Sequence, residues 1–145
     1  MGCDIHLHVE VRIDDEWLHY ANPFVSRNYT LFGFMAGVRD STVEPVAEPK
    51  GLPSDTTKVT RLDYEHNKED WHTPSWLSTA EIVELQHRLY NYYYTVEDKS
   101  LKFEYDLNYM FNTYLFENGF TSWYEYPTSN VMNIQDVRFV FWFDN

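Results

Sequence analysis

The residues best able to do chemistry alternate with apolar residues at the start of the chain. Asp4, His6, His8 and Glu10 are each separated by one apolar residue. Alternate side chains of a β-strand point to one face, roughly 7 Å apart. We therefore predict that Asp4, His6 and His8 bind a divalent ion, zinc or manganese. Water on that ion would attack a phosphodiester, and Glu10 or His72 would transfer the proton.

The same alternation is compatible with two other structures. One is an amphipathic strand whose polar face is solvated, and the other is a polar pocket without a metal. A catalytic zinc has three protein ligands and an open position. Ligands missing from the strand would come from later residues, namely His66, Asp70, His72, Asp136 or Asp144.

A second set of residues could bind an anion. Arg27 and Arg39 bracket a short predicted helix, although the chain has only 11 basic residues. Arginine grips phosphate or carboxylate through paired hydrogen bonds, and aromatic rings stack on bases. With Arg138, Tyr29, His72 and Trp76 they form a predicted site for a nucleotide-type ligand. The alternative is that the arginines pair with carboxylates and the aromatic rings lie in the core.

The elements that must position these residues begin and end with strands. The run 3–13 alternates strictly, and 136–144 is apolar on both faces, which predicts an interior strand paired with the first. A short return strand is predicted through 17–20, and a helix over 27–38. Ser78 and Glu81 form a capping box that begins a long helix reaching residue 94. A second long helix is predicted over 99–117.

We therefore predict an α+β fold. A small, mainly antiparallel sheet contains both terminal strands and is covered by two long helices. Residues 1–145 form one domain, in which about 39–75 make a long irregular flap with four prolines. Cys3 lies on the apolar face of the first strand and is expected to be buried and inert. The tyrosine-rich run 90–94 makes a homodimer one interpretation of that surface and a thickened core the other.

Composition limits the class of partner. The net charge is −12, which argues against direct binding to a nucleic-acid backbone. It suits solubility, or contact with a basic partner surface. There is one cysteine and no apolar run of 18 residues. We therefore expect a cytoplasmic protein that does not enter a membrane.

Several motifs resemble an uncharacterised protein family of tailed bacteriophages and prophages. They are the opening Met-Gly-Cys-Asp-Ile-His with Glu10, the cluster 27–39, Gly51-Leu52-Pro53, His72 with Ser75-Trp76-Leu77, and the ending Val-Phe-Trp-Phe-Asp-Asn. The resemblance spans the chain and implies an accessory protein acting on host machinery or host defence in the host cytosol. It implies no functional residues. Asp4-x-His6-x-His8 is also similar to the first-strand metal motif of amidohydrolase-type barrels, for which this chain is too short.

Two functions follow from these observations. The first is a non-catalytic, phage-type accessory protein that binds a host factor or a nucleotide-type ligand, with counter-defence as one role. Its basis is the resemblance, the acidity and the aromatic content. The second is a small metal-dependent hydrolase, such as a phosphodiesterase, built on the Asp-x-His-x-His strand.

Overall fold

The computed structural model describes residues 2–96 and 134–145, and its centre is a four-stranded antiparallel sheet. The spatial order of the strands is β2-β1-β4-β3. The two strands nearest the chain ends lie side by side in the middle, so the predicted α+β fold with both terminal strands in one sheet is confirmed. The strands are β1 (Asp4–Ile13), β2 (Glu16–Ala21), β3 (His72–Leu77) and β4 (Asp136–Asp144).

The pairing of β1 with β4 sets the register of the sheet. Asp4 lies opposite Asp144, and Glu10 lies opposite Arg138. Odd-numbered β1 residues therefore share a face with Phe139, Phe141 and Phe143, which are fully buried. Even-numbered β1 residues share the other face with Trp142. The continuous apolar run of β4 follows from this interior place, because both of its faces are covered.

The apolar face is covered by α1 (Tyr29–Ala36) and α3 (Thr79–Asn91). The N-cap of α1 is Asn28, whose side chain accepts from the Leu31 amide at 3.0 Å, so the helix begins later than the predicted start at residue 27. Ser78 and Glu81 form the predicted capping box of α3. The predicted second long helix over 99–117 lies outside the described residues.

The predicted flap is only partly irregular. Residues 37–57 contain no helix or strand, but α2 (Lys58–His66), a short 3-10 turn (Lys68–Asp70) and β3 follow. The missed helix α2 buries only Thr60, so it has no apolar stripe for periodicity to reveal. β3 is an edge strand, where Pro74 is tolerated. Within the described ranges, no helix is both long enough and apolar enough to cross a membrane.

Candidate functional site

The polar face of β1 is covered by the chain between residues 53 and 71. His8 is 1% exposed and Glu10 is 0% exposed. Tyr64 and Trp71 pack against Trp142 on this face, with ring centroids 5.1 and 6.2 Å from it. The interpretation of this face as solvated is therefore wrong for His8 and Glu10.

Glu10 is held in a buried ion pair that fastens this covering segment to the sheet. Its carboxylate accepts from Arg138 Nε at 2.8 Å and from the Thr57 amide and hydroxyl at 3.0 and 2.5 Å. Arg138 also donates to Asp55 at 2.7 Å, and its guanidinium lies 4.0 Å from the ring centroid of Trp17. With this many partners, Glu10 is placed as an anchor, which does not favour the proton-transfer role predicted for it.

The three predicted metal ligands each have a different partner. Asp4 accepts two hydrogen bonds from Arg27, and His6 contacts Asp144. His8 lies deeper, between two other side chains. Among the residues that the structure describes, no group of three His, Cys, Asp or Glu side chains could hold a metal ion.

Most of the predicted site residues instead meet at the end of the sheet where β1 begins and β4 ends. We call this group the terminal cluster, and its members are Asp4, His6, Arg27, Tyr29, Arg39, His72, Asp144 and Asn145. His6 Nε2 lies 2.5 Å from Asp144 Oδ2. Because a carboxylate only accepts, Nε2 carries the proton, and in the neutral imidazole Nδ1 is left as a proton acceptor.

The Asn145 side chain joins two parts of the terminal cluster. Its Oδ1 accepts from Arg39 Nη2 at 3.3 Å and lies 3.3 Å from His72 Nε2. Since arginine only donates, that atom is the carbonyl oxygen, so His72 Nε2 donates to it. His72 Nδ1 then accepts from the Thr73 hydroxyl at 3.0 Å when the ring is neutral. Arg39 also lies 5.5 Å from the ring centroid of Tyr29.

An irregularity of β3 aims His72 at this cluster. The register with β4 shifts between His72 and Ser75, which marks a bulge. Inside it, Thr73 has a φ of +53°, in the left-handed region that β-branched residues avoid. Such strain is retained where the surrounding structure enforces it, and it concentrates at functional sites. Arg39, on the other side of Asn145, also has a positive φ, of +68°.

Arg27 completes the exposed rim of the cluster. It donates to Asp4 through Nε at 2.7 Å and Nη2 at 3.1 Å. These hydrogen bonds hold the pKa of Asp4 below its ordinary value. Gly2 leaves the space in which the guanidinium lies, since a Cβ there would be 2.0 Å from Nη1. Two hollows of about 400 and 410 Å³ border the cluster, and Asp144 lines both.

Two predicted residues have other surroundings. Trp76 lies on the edge strand β3, where it pairs with Val140, and Lys50 Nζ lies 3.8 Å from the Trp76 ring centroid. Cys3 is buried, as expected, and burial raises the pKa of its thiol, although Arg39 offsets part of the rise. Trp76 is therefore not part of the terminal cluster.

Sequence reasoning missed Asn145 and the partners of His8. Asn145 belongs to the terminal motif, but no residue type or spacing marks an asparagine as a bridge. His8 pairs with His19 and Asp63, which lie 11 and 55 positions away in the chain. The pairing of β1 with β2 could have placed His19 near Glu10, its cross-strand partner. Asp63 could not be placed, because helix α2 was not predicted.

Comparison with family models found no match, and searches among curated proteins and solved structures returned no significant similarity.

Proposed function

We propose that the chain is a phage-type accessory protein that acts in the host cytosol by binding a nucleotide-type ligand at the terminal cluster. One observation carries this proposal. Arg27, Tyr29, Arg39 and His72, chosen from the sequence for such a ligand, lie at one end of the sheet, and a strained bulge aims the last of them. Binding alone is proposed, without turnover.

The donors of the cluster suit a phosphate group. Arg27 is exposed and uses two of its five N–H groups on Asp4, which leaves three for a ligand. Asp4 holds that guanidinium in one place, so less side-chain entropy is lost when a ligand binds. Both ring nitrogens of His72 already have partners, Thr73 and Asn145, so His72 orients the cluster and the phosphate donors come from the arginines.

Aromatic rings beside the same end suit a base. Trp71 lies 4.4 Å from the His6 ring, measured between centroids, and lines the hollow that includes Asp144 and Asn145. Stacking of a base on an aromatic side chain contributes roughly 1–3 kcal/mol. The carboxylates of Asp4 and Asp144 oppose phosphate, so the arginines must outweigh them. This makes a monophosphate or diester group a better fit than a triphosphate.

The test is isothermal titration calorimetry with a fixed set of probes: the four ribonucleoside monophosphates, a dinucleoside monophosphate and ATP. We expect saturable binding of at least one monophosphate or diester. Arg39→Gln and His72→Gln should each weaken it at least tenfold. Arg88→Gln is the matched control. Arg88 lies on α3 and pairs with Glu84, and its replacement removes the same positive charge as Arg39→Gln does.

Two results would count against the proposal. One is that none of the probes binds at millimolar concentration. The other is that Arg88→Gln weakens binding as much as Arg39→Gln, since the effect would then reflect net charge and not the cluster.

A host protein is the second candidate partner, because Phe24 is 91% exposed beside the same end. Aromatic residues are enriched in protein interfaces, so this ring could contribute to one. Phe24→Ser should then reduce capture of a host protein without changing nucleotide affinity.

A homodimer also stays a prediction. Tyr90 is half-exposed and stacks on Tyr94, and the later tyrosines lie outside the described residues.

A further inference from the structure

A hydrogen-bonded line of three side chains crosses the covered face of the sheet, away from the terminal cluster. At its centre is His8, whose Nε2 lies 2.7 Å from Asp63 Oδ2 and whose Nδ1 lies 2.9 Å from His19 Nε2. His8 has almost no contact with solvent, whereas Asp63 and His19 are partly exposed. The three residues come from β1, α2 and β2.

When Asp63 is ionised and His8 is neutral, donor and acceptor rules assign the protons of this line. Asp63 as a carboxylate only accepts, so His8 Nε2 carries a proton. A neutral His8 then accepts at Nδ1 from His19 Nε2–H. The remaining nitrogen, His19 Nδ1, is an acceptor, and no protein partner is found for it in the described part of the chain.

Such a line can take up a proton at His19 and hold the positive charge on His8. A proton arriving at His19 Nδ1 allows its Nε2 proton to pass to His8 Nδ1. The positive charge then lies on His8, in direct contact with the Asp63 carboxylate. This is the arrangement of a general base oriented and stabilised by an imidazole–carboxylate pair, whose imidazole is buried.

His19 lines a cleft of about 570 Å³ between β2 and the start of α2. That volume holds a small organic ligand. The walls combine apolar side chains with three exposed carboxylates and one ammonium, from Asp15, Glu16, Trp17, Leu18, Asp55, Lys58 and Val59. The carboxylates repel an anion, so the cleft suits a neutral substrate with an apolar part.

We propose that His19 is a catalytic base in this cleft, with His8 and Asp63 as positioning residues, for the hydrolysis of a neutral ester. Water attacks the carbonyl carbon while His19 Nδ1 takes its proton. The tetrahedral intermediate then expels the alcohol, and the proton returns to the leaving oxygen. Lys58 supplies positive charge for the developing oxyanion.

The protonation state of His19 agrees with this role. Burial lowers the pKa of His19 most, and the positive charge that His8 carries once the line has taken up a proton lowers it further, while Glu10 and Asp63 oppose the shift. His19 is therefore neutral at neutral pH and ready to accept a proton.

The experiment measures hydrolysis of 4-nitrophenyl acetate, a neutral aryl ester, by the whole protein at pH 7.5. We expect a saturable rate, a loss of 100-fold or more in His19→Gln, and a smaller loss in Asp63→Asn with KM unchanged. His87→Gln is the control, because His87 is exposed on α3. The proposal is overturned if His19→Gln keeps the wild-type rate, or if His87→Gln loses as much.

Two further measurements keep the test decisive. A rate that falls at least twofold in D₂O identifies general-base catalysis, whereas a burst of nitrophenolate with no isotope effect would indicate an acyl-imidazole and overturn the proposed step. Should a variant not fold, ¹⁵N NMR of the wild-type imidazoles decides. A protonated Nδ1 and bare Nε2 on His19 at pH 7.5 would contradict the line of hydrogen bonds.

Discussion

The buried ion pair between Glu10 and Arg138 makes a sharp prediction about stability. Glu10 has no exposed surface, and Arg138 is nearly as buried. We consider Glu10→Gln, which keeps the shape of the side chain and removes only the charge and one acceptor oxygen. The substitution leaves the Arg138 guanidinium without its main counter-ion. It also turns an N–H of the glutamine side chain towards the Thr57 amide and hydroxyl, which themselves donate.

The size of the loss follows from these contacts. Breaking a buried pair by removing one partner costs about 3–5 kcal/mol. Asp55 still pairs with Arg138, but its side chain is 60% exposed and neutralises that charge only partly. We therefore expect a loss of about 3 kcal/mol, at the lower end of that range. For a domain of this length the melting temperature should fall by roughly 12 °C.

The assay is urea denaturation followed by tryptophan fluorescence, which reports on this region because Trp17 lies against Arg138. Glu84→Gln is the matched control, since it breaks an exposed pair with Arg88 and should cost less than about 0.5 kcal/mol. The double variant Glu10→Gln/Arg138→Met should cost about 2 kcal/mol less than the sum of the singles. A Glu10→Gln loss as small as that of the control, or strict additivity, would refute this account of how residues 53–57 are held.

Three further outcomes follow from single side chains. Thr73→Gly relieves a left-handed backbone and should stabilise the protein by about 1 kcal/mol in urea, yet weaken nucleotide binding because the neighbouring imidazole loses its hydroxyl partner. Asn28→Ala removes a helix cap and the buried hydrogen bonds with Tyr93, and should cost about 2 kcal/mol by thermal melting. An NMR titration of His19 should give a pKa below the ordinary value of 6.5. In His8→Gln this pKa should rise only partly, because burial contributes more to lowering it than His8 does. Since the unfolded chain then binds more protons, the contribution of His19 to stability is complete above pH 6.5 and is lost as the pH falls through the folded pKa.

The sheet could be predicted from the sequence because its strands carry strong patterns. The alternation in β1 placed its apolar residues correctly in the core, and the unbroken apolar run of β4 marked an interior strand. The same alternation could not reveal what covers the polar face. A period of two assigns residues to faces, but whether a face meets water or another segment depends on the rest of the fold.

The candidate site could be predicted in part. Residue chemistry selected Arg27, Tyr29, Arg39 and His72, which the structure brings to one end of the sheet, and also Trp76, which lies elsewhere on β3. It could not supply the contacts between them, because Asn145 and the bulge at Thr73 leave no periodic signal. Among the residues that the structure describes, the predicted metal ligands do not converge, because Asp4, His6 and His8 each have a partner on a different segment: a loop arginine, a β4 carboxylate and a carboxylate of α2.

The most direct test of the proposed function is a ¹H–¹⁵N NMR titration of the wild-type protein with the tightest-binding nucleotide probe. Binding at the terminal cluster predicts saturable chemical-shift changes at the backbone amides of Tyr29, Arg39, His72 and Asn145, and no change at Arg88. Shifts confined to the cleft beside His19, or no saturable shift with any probe, would contradict binding at the terminal cluster.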